Sequence, residues 1–237
     1  TTVIANLPVV DFQALSATQL SELSVAQTGY LSTTDLAVIT TAQLGGLTAP
    51  QLGALSGGQL SAFSTTVLAN LSTTQVGGLS VGQIGGLSTT AINALTTTVI
   101  ANLSTAQIGG LSAPQVAGLT TTAFGALGAG QLAGFSNAQL AALSVADLAA
   151  MLPAQVSGVS AAQLGQLGAA QFGALTTTVV SFLDTLQIGG LTTTEVGALS
   201  AAQFQVLSST QISAITAASA ASLTTTNIAA LGTTQFG

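Results

Sequence analysis

The chain has 237 residues with no Lys, Arg, His, Cys or Trp and only six acidic residues, for a formal charge of -6 and 48% hydrophobic residues. Without His, Cys or Lys it lacks the common general base, the thiol nucleophile, the soft metal ligand and the Schiff-base amine. Without any cation it cannot neutralise phosphates, which excludes nucleic acid and anionic membrane surfaces as partners, and so this composition points to a non-enzymatic protein.

Residues 1–6, Thr-Thr-Val-Ile-Ala-Asn, have no initiator Met and no basic region, and match the middle of the pattern that follows; we expect the chain to be a window of a longer repetitive one. From Leu7 to Ala230 the sequence divides into 28 units of eight without an insertion or deletion, in the pattern apolar, Ser/Thr, x, x, Gln, apolar, small, small. We expect one continuous repeat solenoid over residues 1–237.

The first position runs Leu7, Leu15, Leu23, Leu31, Ile39 and on to Leu231, always large and apolar. The sixth runs Phe12, Leu20, then Leu36 and on to Phe236, with only Thr28 and Ala220 as exceptions. These two columns are the expected core. Their spacings of five and three do not alternate as in a strand. Nor do they suit one long helix, since eight residues at about 100° each drift by about 80° per unit. Something must interrupt every unit.

Ser or Thr followed three residues later by Gln is the capping box, in which the hydroxyl accepts from one free amide and the Gln side chain accepts from another. The apolar residue before the cap and the one after Gln form the accompanying hydrophobic staple. Pro50, Pro114 and Pro153 then fall in the first helical turn, where a missing N–H is tolerated. Asp11, Asp35, Asp147 and Glu195 replace Gln, and Asp184 replaces the cap, so five of six carboxylates sit where helix N-termini favour them; Glu22 alone does not.

The predicted fold is therefore an all-α solenoid of very short helices, one per unit, stable only when stacked. Gly45-Gly46, Gly77-Gly78 and Gly109-Gly110 are expected to let the chain turn sharply and backbones approach. Those pairs recur every 32 residues, as do Thr33-Thr34, Thr65-Thr66 and Thr97-Thr98, which predicts four units per coil. The alternative is a parallel β-solenoid, favoured by Thr, Val and Ile content, although it leaves the Ser-to-Gln spacing and the first-turn prolines unexplained.

Candidate sites reduce to the Gln column, from Gln19 to Gln235, and to Thr runs such as Thr96-Thr97-Thr98, Thr120-Thr121-Thr122, Thr176-Thr177-Thr178 and Thr192-Thr193-Thr194. The Gln residues are expected to satisfy backbone groups, and the Thr runs to cover a solvated surface; the competing view makes either a row for ice or polysaccharide. Gly125 to Gly130 lacks the Lys of a phosphate loop. The acids lie in different units, and no Ser has a base to activate it. Tyr30, beside Thr28, is expected to be a packing variation. No catalytic, cofactor-binding or metal-binding residue is assigned. No apolar run approaches the ~18 residues needed to span a bilayer.

Locally, Leu-Ser-x-x-Gln-Val resembles the helix start of transcription-activator-like effector repeats, but those are longer and carry a basic DNA-reading loop absent here. The whole chain more closely resembles the repetitive tracts of giant bacterial surface and secreted proteins, as in Leu103-Ser104-Thr105-Ala106-Gln107-Ile108-Gly109-Gly110-Leu111. That resemblance implies an extracellular or cell-surface fibre, stalk or adhesin spacer. Self-association is the expected partnership, since neither Thr1 nor Gly237 supplies a polar capping unit; a glycan is the weaker candidate.

Overall fold

The computed structural model describes residues 7–235. Among these residues there are 28 short α-helices, from Val9–Gln13 to Thr225–Ala229, followed by the 3-10 turn Thr233–Gln235. Every helix has four to six residues, and no strand occurs among the described residues. This is the expected solenoid of short helices rather than the β alternative.

Each unit is built by the same two turns. The cap residue is extended, as at Ser104 (φ -66°, ψ 156°), and its carbonyl accepts from the sixth-position amide, as in Ile108 N–H to Ser104 O at 3.0 Å. The chain leaves through a right-handed residue, Gly110 (φ -79°, ψ -7°). A tight bond from Leu111 N–H to Ile108 O, 3.1 Å, then closes the junction. No described residue has positive φ, so the glycines are not there to turn the chain. They are there for proximity: a Cβ on Gly46 would overlap the backbone of Ala17, and one on Gly158 would overlap the backbone of Ala129. Gly45, Gly77 and Gly125 face open space.

The contacts divide the chain into two compact units, Thr1–Leu119 and Thr120–Gly237. In both, a helix packs on the helix three octads further along: Ala17–Ser21 on Thr41–Gly46 in the first, Ala169–Gly173 on Thr193–Ala198 in the second. Side-chain bonds between successive coils span 25 to 31 residues: 25 from Ser61 to Gly86 and from Asn93 to Gly118, and 28, 30 or 31 for the fifth-position Gln, as from Gln43 to Leu15 and Phe12 and from Gln203 to Leu175 and Gly173. The coil thus centres on 28 residues, three and a half octads, and not on the four that the 32-residue recurrence suggested. Half an octad of stagger lays helices like bricks, each helix start over a junction between two helices of the coil before. The sequence recurrence and the coil are separate periods, because the chain must pack its neighbours and need not do so in whole copies.

First- and sixth-position side chains fill the interior. Leu31 and Leu36, Leu47 and Leu52, Leu143 and Leu148, and Leu183 and Ile188 are all buried. Burying a side chain of this kind contributes about 1.5–3 kcal/mol, and a helix of five residues has no other comparable source of stability. Most fifth-position side chains are buried as well, Asp11 and Gln19 being exposed, and this burial is one that the sequence expectation did not include.

Candidate functional site

The polar feature that recurs at every level of the structure is the fifth-position amide. Its local half follows from sequence. In Ser104–Gln107, Gln107 N–H donates to Ser104 Oγ at 3.2 Å, and Ser104 N–H donates to Gln107 Oε1 at 2.8 Å. The pair satisfies two of the free amides of the helix start. Most Ser, Thr and Asp caps make the first of these bonds in both units, Asp184 accepting from Gln187 N–H at 2.7 Å, whereas the Thr48 hydroxyl accepts no cap bond and Thr192 accepts from Thr194 N–H. Gly128 and Gly168, which have no hydroxyl, keep the second through Gln131 and Gln171.

The other half is tertiary. Because the Oε1 end is held by its own cap, the Nε2 end points into the preceding coil and donates to two backbone carbonyls at the junction beneath. In the first unit Gln75 reaches Leu44 O and Leu47 O, both at 2.8 Å, and Gln107 reaches Val76 O at 2.9 Å and Leu79 O at 2.7 Å. In the second, Gln155 reaches Phe124 O and Leu127 O at 3.0 and 2.9 Å, and Gln187 reaches Val156 O and Val159 O at 2.8 and 2.6 Å. One buried amide therefore satisfies three backbone groups on two coils. Shorter side chains make only the nearer bond: Ser219 Oγ to Leu191 O at 2.7 Å and Asn227 Nδ2 to Leu199 O at 2.9 Å.

Carboxylates occupy the same place less completely. Asp35 and Asp147 accept from the amide and hydroxyl of Ser32 and Ser144 through Oδ2, while each Oδ1 is buried without a partner. Glu195 is 1% exposed and accepts from Thr192 N–H at 2.7 Å and Thr192 Oγ1–H at 2.5 Å, both through Oε2. An ionised carboxylate has only acceptors to offer where the Gln units place a donor. These three acids are buried, beyond the helix-start role expected of them. Asp11 and Asp184 are exposed.

Two surface grooves repeat one construction: a junction of one coil roofed by the capped helix start of the next. One, of about 540 Å³, is bounded by Gly46, Thr48, Ser72, Thr74 and Gln75; the other, of about 390 Å³, by Gly158, Ser160, Asp184, Leu186 and Gln187. Three of the bounding hydroxyls are already engaged in caps: Thr48 donates to Gln51 Oε1, and Ser72 and Ser160 accept from the Gln amides of their own helices. Gly125 and Gly130 lie within helices and Gly128 is a cap. Tyr30 is exposed. Among the described residues no three His, Cys, Asp or Glu side chains come together to hold a metal ion, and no helix is long and apolar enough to cross a membrane.

The burial of the amide column was missed in sequence, although a signal existed. Val67, Ala91, Val99, Ala123 and Val179 replace Gln at that position and are buried; an exposed Gln would not be exchanged so consistently for apolar residues.

The family model of the ALTTAQ repeat matches residues 57–89 and 90–121, so the chain is a repeat protein. Each match is about four octads long, the length of the recurrence and not of the coil. No curated protein matches the chain.

Proposed function

We propose that this chain is a non-catalytic structural element that works outside the cell or on its surface, spacing or building a fibre by stacking and self-association. The observation that carries the proposal is the double use of the Gln column. The one abundant functional side chain is spent on both ends, capping its own helix and tying the coil beneath, which joins successive coils within each unit and leaves no amide row for a ligand. The lack of His, Cys, Lys and Arg supports a role without catalysis, and the resemblance to bacterial surface and secreted tracts supports the location.

A row of Thr for ice or polysaccharide fits less well. Features repeating every 32 residues on a coil of 28 advance by about half an octad per turn, so Thr33-Thr34, Thr65-Thr66 and Thr97-Thr98 wind around the first unit instead of forming a straight row. The test is electron microscopy of the purified chain at dilute and concentrated conditions, with thermal hysteresis measured alongside. Higher-order assemblies without thermal hysteresis are expected. Dispersed monomers at every concentration, or marked thermal hysteresis, would refute the proposal.

A further inference from the structure

From Asp11 to Gln235 the fifth position carries Val or Ala at only Val67, Ala91, Val99, Ala123 and Val179, and only Ala91 and Val99 stand in adjacent octads. Their helices, Thr89–Ala94 and Thr97–Ala101, lie inside the first unit and pack on Thr65–Leu68 and Thr73–Gly77 of the coil before. Gln ties to the coil before resume on either side. Gln83 reaches Leu52 O and Leu55 O, and Gln107 reaches Val76 O and Leu79 O.

At the spacing of 28 residues, the carbonyls that lose their donor are Phe63 O for Ala91 and Leu71 O for Val99. Each belongs to a residue 4% exposed, and no hydrogen bond from any described residue reaches either one, whereas the equivalent Leu47 O and Leu55 O accept from Gln75 and Gln83. The second carbonyl that a Gln would serve is covered: Leu60 O accepts from Phe63 N–H and Leu68 O from Leu71 N–H, both at 3.2 Å. Ser88 and Thr96 are exposed, so their cap amides turn to water. Each apolar replacement therefore orphans one buried carbonyl. Removing one partner and leaving the other buried is the costly case, because the desolvation of the carbonyl is not repaid.

We propose that residues 88–102 form a built-in opening seam of the first unit: this segment parts from the coil before it while the Gln-tied octads on both sides stay closed. Stability in a solenoid is a sum over contacts between neighbours, so a loss confined to two successive octads sets where local opening starts. Val67, Ala123 and Val179 each stand between two Gln octads and make no seam. The segment's own tie runs forward, Asn93 Nδ2 donating to Gly118 O at 2.8 Å, so it opens on the side of the coil before. The scaffold thereby has one internal place at which it yields first.

Native-state hydrogen exchange of the 237-residue chain, resolved by segment, tests this. Residues 88–102 are expected to be protected at least about tenfold less than residues 40–55, which Gln43 and Gln51 tie to Leu15 O and Leu23 O. Ala91→Gln/Val99→Gln restores both amides and should bring 88–102 to the protection of 40–55. The converse variant, Gln43→Val/Gln51→Val, copies the seam into 40–55 and should lower protection there by a similar factor while leaving 88–102 unchanged. Equal protection of the two segments in the unaltered chain overturns the seam. So does weak protection of 88–102 that the restoring variant leaves as it was, or a converse variant whose 40–55 segment stays fully protected.

Discussion

Replacing Gln187 by Leu keeps the volume and the helix start but removes an amide that serves three backbone groups. Asp184 N–H loses its acceptor at 2.8 Å, Val159 O loses its donor at 2.6 Å, and Val156 O loses one of two, since Val159 N–H still donates to it at 3.0 Å. Val159 is 2% exposed, so water does not replace the bond to its carbonyl, whereas Asp184 is exposed and its N–H can turn to water. One orphaned buried group gives a loss of about 1–3 kcal/mol, partly offset by the apolar side chain. Because a solenoid can open locally, the assay is hydrogen exchange read by segment, with a thermal melt by circular dichroism. Faster exchange over residues 153–160 and 184–190, and a lower melting temperature, are expected. Unchanged exchange at 153–160 would refute the claim that this amide ties one coil to the next.

Glu195→Gln is expected to raise stability by about 1–2 kcal/mol in a denaturant melt, because it restores a donor toward the preceding coil where the carboxylate offers none; a loss would show that the carboxylate has a partner of its own. Gly158→Ala should cost about 1–3 kcal/mol through collision with Ala129. Gly130→Ala, within a helix and facing open space, should gain about 0.5–1 kcal/mol, and equal effects of the two alanines by thermal melt would sink the proximity account of the glycines. Ser104→Ala removes a cap hydroxyl and should cost about 1 kcal/mol in the same melt, with exchange accelerated first at 105–109.

The capping box, the staple and the first-turn prolines were legible because they act within six residues. Ser104 and Gln107 need only each other to declare a helix start, and the octad register then fixes one helix per unit. The glycines were half legible: small residues at the seventh and eighth positions signalled proximity, but the turn itself is made by ordinary right-handed and extended residues. The burial of the fifth position was written in Val67, Val99 and Val179, yet Gln reads as a surface residue until the carbonyls it serves are known.

By itself, the sequence determined the helix in every octad and the apolar interior at the first and sixth positions, since these follow from local geometry. Only the tertiary structure decided the coil. Thirty-two residues is the distance at which the chain resembles itself, whereas 28 is the distance at which Gln75 Nε2 finds Leu47 O. That distance is set by how closely Gly78 can lie on Ala49 and by where a buried amide reaches two free carbonyls. Neither condition involves neighbours in sequence, so no periodicity within the chain reveals it.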